Sequence, residues 1–257
     1  MTKIYISHHA KQAILIVNLK FYLLWPYVGM SCERDLWAGW LGMTDNALAN
    51  FITTHTCPDR PPHCPEIVLH LASEAVALWQ LSADELDQQG LPLPFWAFAW
   101  AGGQALARYL LDHPKRVQDK HVYDIASGSG LVAIAAKMSG AKQVTAVDID
   151  PYAIAAVGLN ASLNQVDLAT YQGDLIGQIL QTDVLLVGDL FYEREIAEPL
   201  FAWLRQCQQA GILVLIGDPG RTYLPKAGLK ELACYSIPVS RELEDQDIKV
   251  TRVWGLA

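Results

Sequence analysis

The sequence predicts an α/β protein: a doubly wound, Rossmann-like sheet, mostly parallel and closed by an antiparallel C-terminal hairpin, behind an N-terminal extension. Three observations carry this. From Lys120 onward, near-continuous apolar runs alternate with helix-like segments, the pattern of parallel strands covered on both faces. A glycine turn, Gly128-Ser-Gly130, joins the first of these runs to its helix. Two strand-like runs near the C-terminus follow one another with no helix between them.

Taken in order, His121-Val-Tyr-Asp-Ile-Ala is the first strand and the Ala-rich stretch Leu131 to Met138 its helix. Lys142-Gln-Val-Thr-Ala-Val-Asp is the next strand, and Pro151 opens a helix at the first-turn position that proline favours. Thr182-Asp-Val-Leu-Leu-Val-Gly ends at Asp189, Ala197 to Gln208 is a helix, and Gly211-Ile-Leu-Val-Leu-Ile-Gly is a buried strand. Cys234-Tyr-Ser-Ile-Pro-Val and Lys249-Val-Thr-Arg-Val-Trp form the closing hairpin. Upstream, residues 44–66 are rich in Thr, Pro, Asp and His and read as a connector. Ile67, Leu69 and Leu71 alternate as in a half-buried strand. This divides the chain into an extension (1–50), a cap or connector (51–93) and the main domain (94–257).

At 257 residues with 52% apolar content and 18% charged residues, the chain suits a compact globular protein. A net charge of −8 argues against a nucleic-acid binder and leaves room for a basic protein partner. Five cysteines, an odd number at irregular spacing, do not make a disulfide framework and fit a reducing compartment. The expected location is the cytoplasm, or the mitochondrial matrix in a eukaryote. His55, Cys57, His63 and Cys64 lack a close Cys-x-x-Cys pair and are interrupted by prolines, so no metal is expected. The apolar run Ala13 to Val28 contains Asn18 and Lys20, and a central lysine costs roughly 2.5–3.5 kcal/mol in a spanning helix. It reads as a loosely attached segment, with no stable membrane insertion.

The candidate ligand site is Asp124-Ile-Ala-Ser-Gly-Ser-Gly, at the carboxyl end of the first strand, where such sheets bind their ligands. Gly128 and Gly130 allow a tight turn and close approach. Asp124 is placed to order this loop and face a cationic amine. Asp148, ending the next strand, is placed to accept ribose hydroxyls, and Asp174 with Leu175 to meet an adenine ring. Gly128-x-Gly130-x-x-Ala133 also satisfies the dinucleotide fingerprint, so the glycines alone do not decide between NAD and S-adenosylmethionine. Three features favour S-adenosylmethionine. Asp124 stands before the glycines where dinucleotide folds usually carry an apolar residue, the loop follows a long N-terminal element, and the terminal hairpin is typical of class I methyltransferases.

Further segments carry a resemblance. Pro94-Phe-Trp-Ala-Phe-Ala-Trp-Ala-Gly-Gly-Gln, Asp148-Ile-Asp-Pro, Gly188-Asp-Leu-Phe-Tyr, Ile216-Gly-Asp-Pro-Gly-Arg and Val253-Trp-Gly resemble the electron-transfer-flavoprotein β-subunit lysine methyltransferases. That family stands among the seven-strand protein lysine methyltransferases, beside ribosomal protein L11 methyltransferase. The resemblance runs from about Phe51 to the C-terminus, and the first fifty residues show no counterpart. It implies S-adenosylmethionine as cofactor and the electron transfer flavoprotein β subunit as protein partner. It also implies Trp100 and Gly102 against the cofactor's amino-acid end, and Asp189 and Tyr192 at the substrate lysine. Phe191 and Tyr192 would supply apolar and cation–π walls. Ala126 departs from the glycine usual at the start of the loop, a change expected to be mild. Other readings are methylation of a ribosomal protein or a small molecule, a non-catalytic cofactor-binding module, and a nicotinamide-dependent oxidoreductase.

Overall fold

The computed structural model describes residues 45–72, 93–239 and 247–257. The apolar run at 13–28 lies outside them, and no helix among the described residues is long and apolar enough to cross a membrane. A seven-stranded sheet has the order β5-β4-β3-β6-β7-β9-β8. Its strands are β3 (His121–Ile125), β4 (Gln143–Asp148), β5 (Ala169–Gln172), β6 (Val184–Gly188), β7 (Leu213–Asp218), β8 (Leu229–Pro238) and β9 (Ile248–Leu256). The first five are parallel, β9 runs antiparallel to β7, and β8 pairs antiparallel with β9. The expected doubly wound sheet with its closing hairpin is therefore present, as is the expected order of strand and helix.

The apolar runs are continuous because both faces of the sheet are covered. On β6, Val184 and Leu186 face one core, shared with α2 (Ala101–Asp112) and α3 (Leu131–Met138). Leu185 and Val187 face a second core beneath α5 (Arg194–Gln209), built from Ala197, Leu200, Trp203 and Leu204. Residues of alternate parity on one strand point to opposite faces, so each strand feeds both layers. The N-terminal residues make a third cluster, in which Leu48 and Ile52 of α1 (Asp45–His55) pack against Tyr152, Ala153 and Ala156 of α4 (Pro151–Leu163).

Helix α1 corrects the reading of 44–66 as a connector. Its apolar residues Leu48, Phe51 and Ile52 recur at helical spacing, and Ile52 is fully buried. The prolines that suggested a loop begin only at Pro58. Beyond them, β1 (Cys57–Asp59) pairs antiparallel with β2 (Leu69–Leu71). The expected strand over Ile67 to Leu71 is thus shorter than its alternation suggests. Val68 is held instead by the side-chain amide of Asn164, which accepts from its N–H at 2.9 Å and donates to its carbonyl. Asn160 Oδ1 accepts from the His70 N–H at 2.7 Å, so two asparagines at the end of α4 bind this hairpin to the sheet domain.

Backbone packs on backbone where the N-terminus of α2 crosses the ends of β6 and β7. A Cβ on Gly102 would stand 2.4 Å from the Gly217 carbonyl oxygen and 2.8 Å from the Asp189 nitrogen. A Cβ on Gly217 would stand 2.1 Å from the Gly102 oxygen. Both obstacles are backbone and cannot swing aside. Gly103 is different, because its added carbon would meet only Val132 and Leu131 side chains at 3.9 and 4.0 Å. Gly102→Ala is therefore expected to destabilise the protein by about 2 kcal/mol or more. Gly103→Ala is expected to leave stability within about 1 kcal/mol, since alanine is also the better helix former. Urea unfolding of both variants checks this, and equal midpoints would refute the close-approach argument.

Candidate functional site

The loop after β3 is held by carboxylates on two sides. Asp124 is 1% exposed, and its Oδ2 accepts from the Ser127 hydroxyl at 2.8 Å and from the Ala133 N–H at 3.1 Å. Asp148, at the end of β4, accepts from the Gly128 N–H at 2.9 Å through Oδ2 and from the Asp150 N–H through Oδ1. Asp150 caps α4 by accepting from the Tyr152 N–H at 2.8 Å. Gly128 and Gly130 have φ of +52° and +80°, and a Cβ on Gly130 would press on Val157 at 3.1 Å. Ala126 has φ +52° as well, a left-handed conformation costly for a residue with a Cβ. The alanine is therefore less innocent than its small size suggested.

Between this loop and the N-terminus of α2 lies a cleft. Asp124, Ala126, Ser127 and Gly128 line one wall, and Phe98, Trp100 and Gly103 the other. Of the residues singled out by sequence, Trp100, Asp124 and Gly128 reach this cleft. Gly102 does not line it. One residue on a helix is a turn of about 100°, so Gly102 faces the strand ends and Gly103 faces the cleft. Asp174 follows β5 in an exposed turn, where its Oδ1 accepts from the Ile176 N–H, and Leu175 is buried beside Ile125 and Val147.

Asp189 follows β6 with φ +61°, and its own N–H donates to the Gly217 carbonyl at 2.9 Å. Its carboxylate is 8% exposed and both oxygens are engaged. Oδ2 accepts from the Gly102 N–H at 2.6 Å, and Oδ1 accepts from Arg221 Nε at 2.5 Å. Gly102 is the second residue of α2, so Asp189 caps that helix from a distant part of the chain, where a carboxylate is also favoured by the helix dipole. The cap of α5 is Glu193, without a side-chain bond, so Asp189 is not the cap of that helix. Arg221 places its guanidinium carbon 5.9 Å from the centre of the Trp100 ring, and its backbone N–H donates to Asp218 Oδ1 at 2.7 Å.

Tyr192 is 37% exposed and lies 6.0 Å from the ring of Phe95, which in turn lies 6.0 Å from Trp100. An aromatic file thus leads from the surface to the cleft. Phe191 is not in it. Its ring is fully buried in the core beneath α5, which corrects its expected role as a wall of the substrate entrance. No local signal in the sequence marks Phe95, Gly103 or Arg221, although the segments containing all three are among those that carry the resemblance.

Residues 105–188 match the sequence profile of ribosomal protein L11 methyltransferase (PrmA). The chain is 40% identical over 213 residues to the electron transfer flavoprotein beta subunit lysine methyltransferase of Xenopus laevis, covering 80% of this chain and 85% of that one. The Homo sapiens protein of the same description is 37% identical over 235 residues, covering 87% of each. The Rattus norvegicus protein is 39% identical over 204 residues, covering 74% and 76%. The chain belongs to this family. It is an S-adenosylmethionine-dependent methyltransferase. Because residues 51–257 make up about four-fifths of the chain, an 87% match also takes in residues before Phe51. The first fifty residues are therefore not without a counterpart in the family, as the sequence alone suggested.

The cleft fits the cofactor of this methyltransferase family. Gly103 leaves an open cradle that a larger side chain would fill, and the opposite wall carries the buried carboxyl of Asp124, whose ionised form a cationic ligand would favour. Burial pushes the Asp124 carboxyl up to about 7, against the lowering effect of its bonds from Ser127 and Ala133, and the nearby Asp148 adds to the rise. Burial and the charge of Asp148 push Asp150 up to about 7 too. Both values lie above the ordinary 3.8, so the native state binds protons that the unfolded chain has released. Stability is full below about pH 4 in this respect and is lost as pH rises to about 7. The ligand-free enzyme is expected to melt lower as pH rises from about 5 to 8, and Asp124→Asn to flatten that slope. The amide keeps an acceptor oxygen for Ser127 and Ala133 without a charge to desolvate. Melting scans at stepped pH check this, and an unaltered slope in the variant would rule out Asp124 as its source.

Proposed function

We propose that this chain transfers methyl groups to lysine on the β subunit of electron transfer flavoprotein, through a site formed where the cleft meets the aromatic file. The observation that carries this reading is Asp189, a nearly buried carboxylate bonded to the Gly102 N–H and to Arg221, whose guanidinium lies over cleft-lining Trp100, the inner end of the aromatic file from exposed Tyr192 through Phe95. In this reading Asp124, Gly128, Gly130, Asp148, Asp174 and Leu175 hold the cofactor on the β3–β5 side, with Trp100 and Gly103 opposite. Gly102 acts one step removed, by fixing the start of α2.

The chemistry asks for little besides alignment and a neutral nucleophile. The cofactor supplies a methyl group on a cationic sulfur, an excellent leaving group. A lysine has an unperturbed pKa near 10.4, so its deprotonation at neutral pH costs roughly 4–5 kcal/mol. The chain's own task would be to let the lysine proton pass to solvent and to hold the nitrogen lone pair in line with the methyl group that the cofactor would present. Phe95 and Tyr192 form walls that strip water from the approaching chain and face its cationic head. Asp189 orients the nitrogen toward the cleft, and holding that line is worth more than any acid or base here.

The match to the L11 methyltransferase profile suggests a ribosomal protein as substrate. It ends at Gly188, before Asp189 and Tyr192, and so speaks to the cofactor side of the sheet rather than to the substrate. Incubating the enzyme with cofactor and either the flavoprotein β subunit or ribosomal protein L11, with peptide mass spectrometry, decides between them. Methylated lysine on the β subunit alone is the expected result, and labelling of L11 alone would overturn the proposal.

Two variants test the division of roles. Asp148→Ala is expected to weaken S-adenosylhomocysteine binding at least about tenfold, because a charged acceptor worth roughly 1.5–3 kcal/mol is lost. Calorimetric titration measures this, and unchanged affinity in a folded variant removes Asp148 from the site. Asp189→Asn keeps an oxygen for the Gly102 N–H but removes the charge. Turnover is expected to fall roughly tenfold or more while cofactor affinity stays within about threefold. Normal turnover with a lowered melting temperature would leave Asp189 only its cap.

A further inference from the structure

We propose that Arg221 is a positioning residue for methyl transfer: its guanidinium offsets the charge of Asp189, so that a lysine nitrogen brought there is not kept as an ammonium ion. The inference rests on the lysine methyltransferase reading above.

The geometry is specific. Arg221 Nε meets Asp189 Oδ1 at 2.5 Å, and the same guanidinium lies over the ring of Trp100, a wall of the cleft. Its side chain is 21% exposed, so the pair is little screened by water. The backbone is fixed independently of the side chain, because Asp218 Oδ1 accepts from the N–H groups of both Gly220 and Arg221. The side chain therefore starts from a turn that any residue but proline at 221 would still form.

The charges around Asp189 say what this accomplishes. From α2 comes the Gly102 N–H, from the end of β7 the Asp218 carboxylate, and from the loop after β7 the Arg221 guanidinium. Asp218 is 1% exposed, and its Oδ2 is buried with no hydrogen-bond partner. Without Arg221, two buried carboxylates would face the lysine. A carboxylate stabilises a neighbouring ammonium and raises its pKa, which favours binding but holds the nitrogen in its unreactive form. A fixed guanidinium cancels that field while leaving Asp189 able to orient the nitrogen. Arginine suits the place because its charge is permanent over the working range of pH.

The test compares wild type, Arg221→Met and Arg221→Lys on the flavoprotein β subunit, and on a lysine peptide from it. For each, kcat is measured at saturating substrate between about pH 7 and 10, with homocysteine-cofactor affinity and melting temperature alongside. Arg221→Met is expected to be about tenfold slower near pH 7.5 and to approach wild type near pH 10, as its acid limb moves up by about one unit. Its KM for the protein should be equal or lower, and Arg221→Lys should keep most of the wild-type profile. A deficit of the same factor at every pH would mean that Arg221 only packs, and a normal kcat would also overturn the proposal. If wild type methylates no lysine on either substrate, both this inference and the reading beneath it fail. If wild type does so and the Met variant shows no narrowing with pH, the role of Arg221 alone is refuted.

Discussion

The contact between Asp189 and the first turn of α2 governs the geometry of the site. A helix N-terminus exposes N–H groups with no partner in the helix, and here one of them, on Gly102, is met by a carboxylate from the end of β6. Charge-assisted bonds of this kind contribute about 1.5–3 kcal/mol. The bond forms only because backbone meets backbone, with no Cβ on Gly102 or Gly217 to hold them apart. Once the helix is seated, Trp100 and Gly103 follow, and with them one whole wall of the cleft. The opposite wall is the glycine loop, so the distance between the two is set by a contact that belongs to neither.

The site is built at a cost to the empty protein. Ala126 and Asp189 both occupy left-handed backbone at the carboxyl ends of adjacent strands, and each such residue costs of order 1–3 kcal/mol. Asp124, Asp148 and Asp150 lie close together in desolvated positions, and burial pushes all three carboxyls upward. A structure selected for stability alone would have neither feature. A cationic ligand bound at the proposed site would favour the ionised forms of these carboxyls and so offset part of that cost.

The sheet was legible in the sequence because both of its faces are buried. Runs such as Val184 to Val187 have no polar alternative, and Pro151 and the glycine turn mark where helices begin. Helix α1 was obscured because its few apolar residues are diluted by threonine and by prolines that follow it. The cleft was legible where its lining sits in a local motif, as at Asp124 and Gly128. It was not legible where position depends on contacts across the chain. Nothing local distinguishes Gly102 from Gly103, and only the packing on Gly217 shows which faces the strands. Phe191 and Tyr192 are neighbours, yet one is core and the other surface. Arg221 becomes meaningful only when β6 and β7 lie side by side and bring it to Asp189.

Asp189 is where the two halves of the enzyme meet, and this limits how cleanly binding and turnover can be separated. The proposed cofactor side of the sheet, β3 to β5, lies to one side of β6, and β7, with Asp218 at its end and Arg221 in the loop after it, lies to the other. Through its N–H Asp189 is tied to β7, through one oxygen to α2 and the cofactor wall, and through the other to Arg221. Removing the whole side chain would loosen α2 as well as the proposed lysine site, so lost activity in an alanine variant would not by itself assign a role in the reaction. The Asp189→Asn and Arg221→Met variants are informative because each removes a charge and leaves the helix its acceptor. What distinguishes a residue that aligns the nucleophile from one that only holds the walls is then the dependence of turnover on pH, since packing does not titrate and an ammonium ion does.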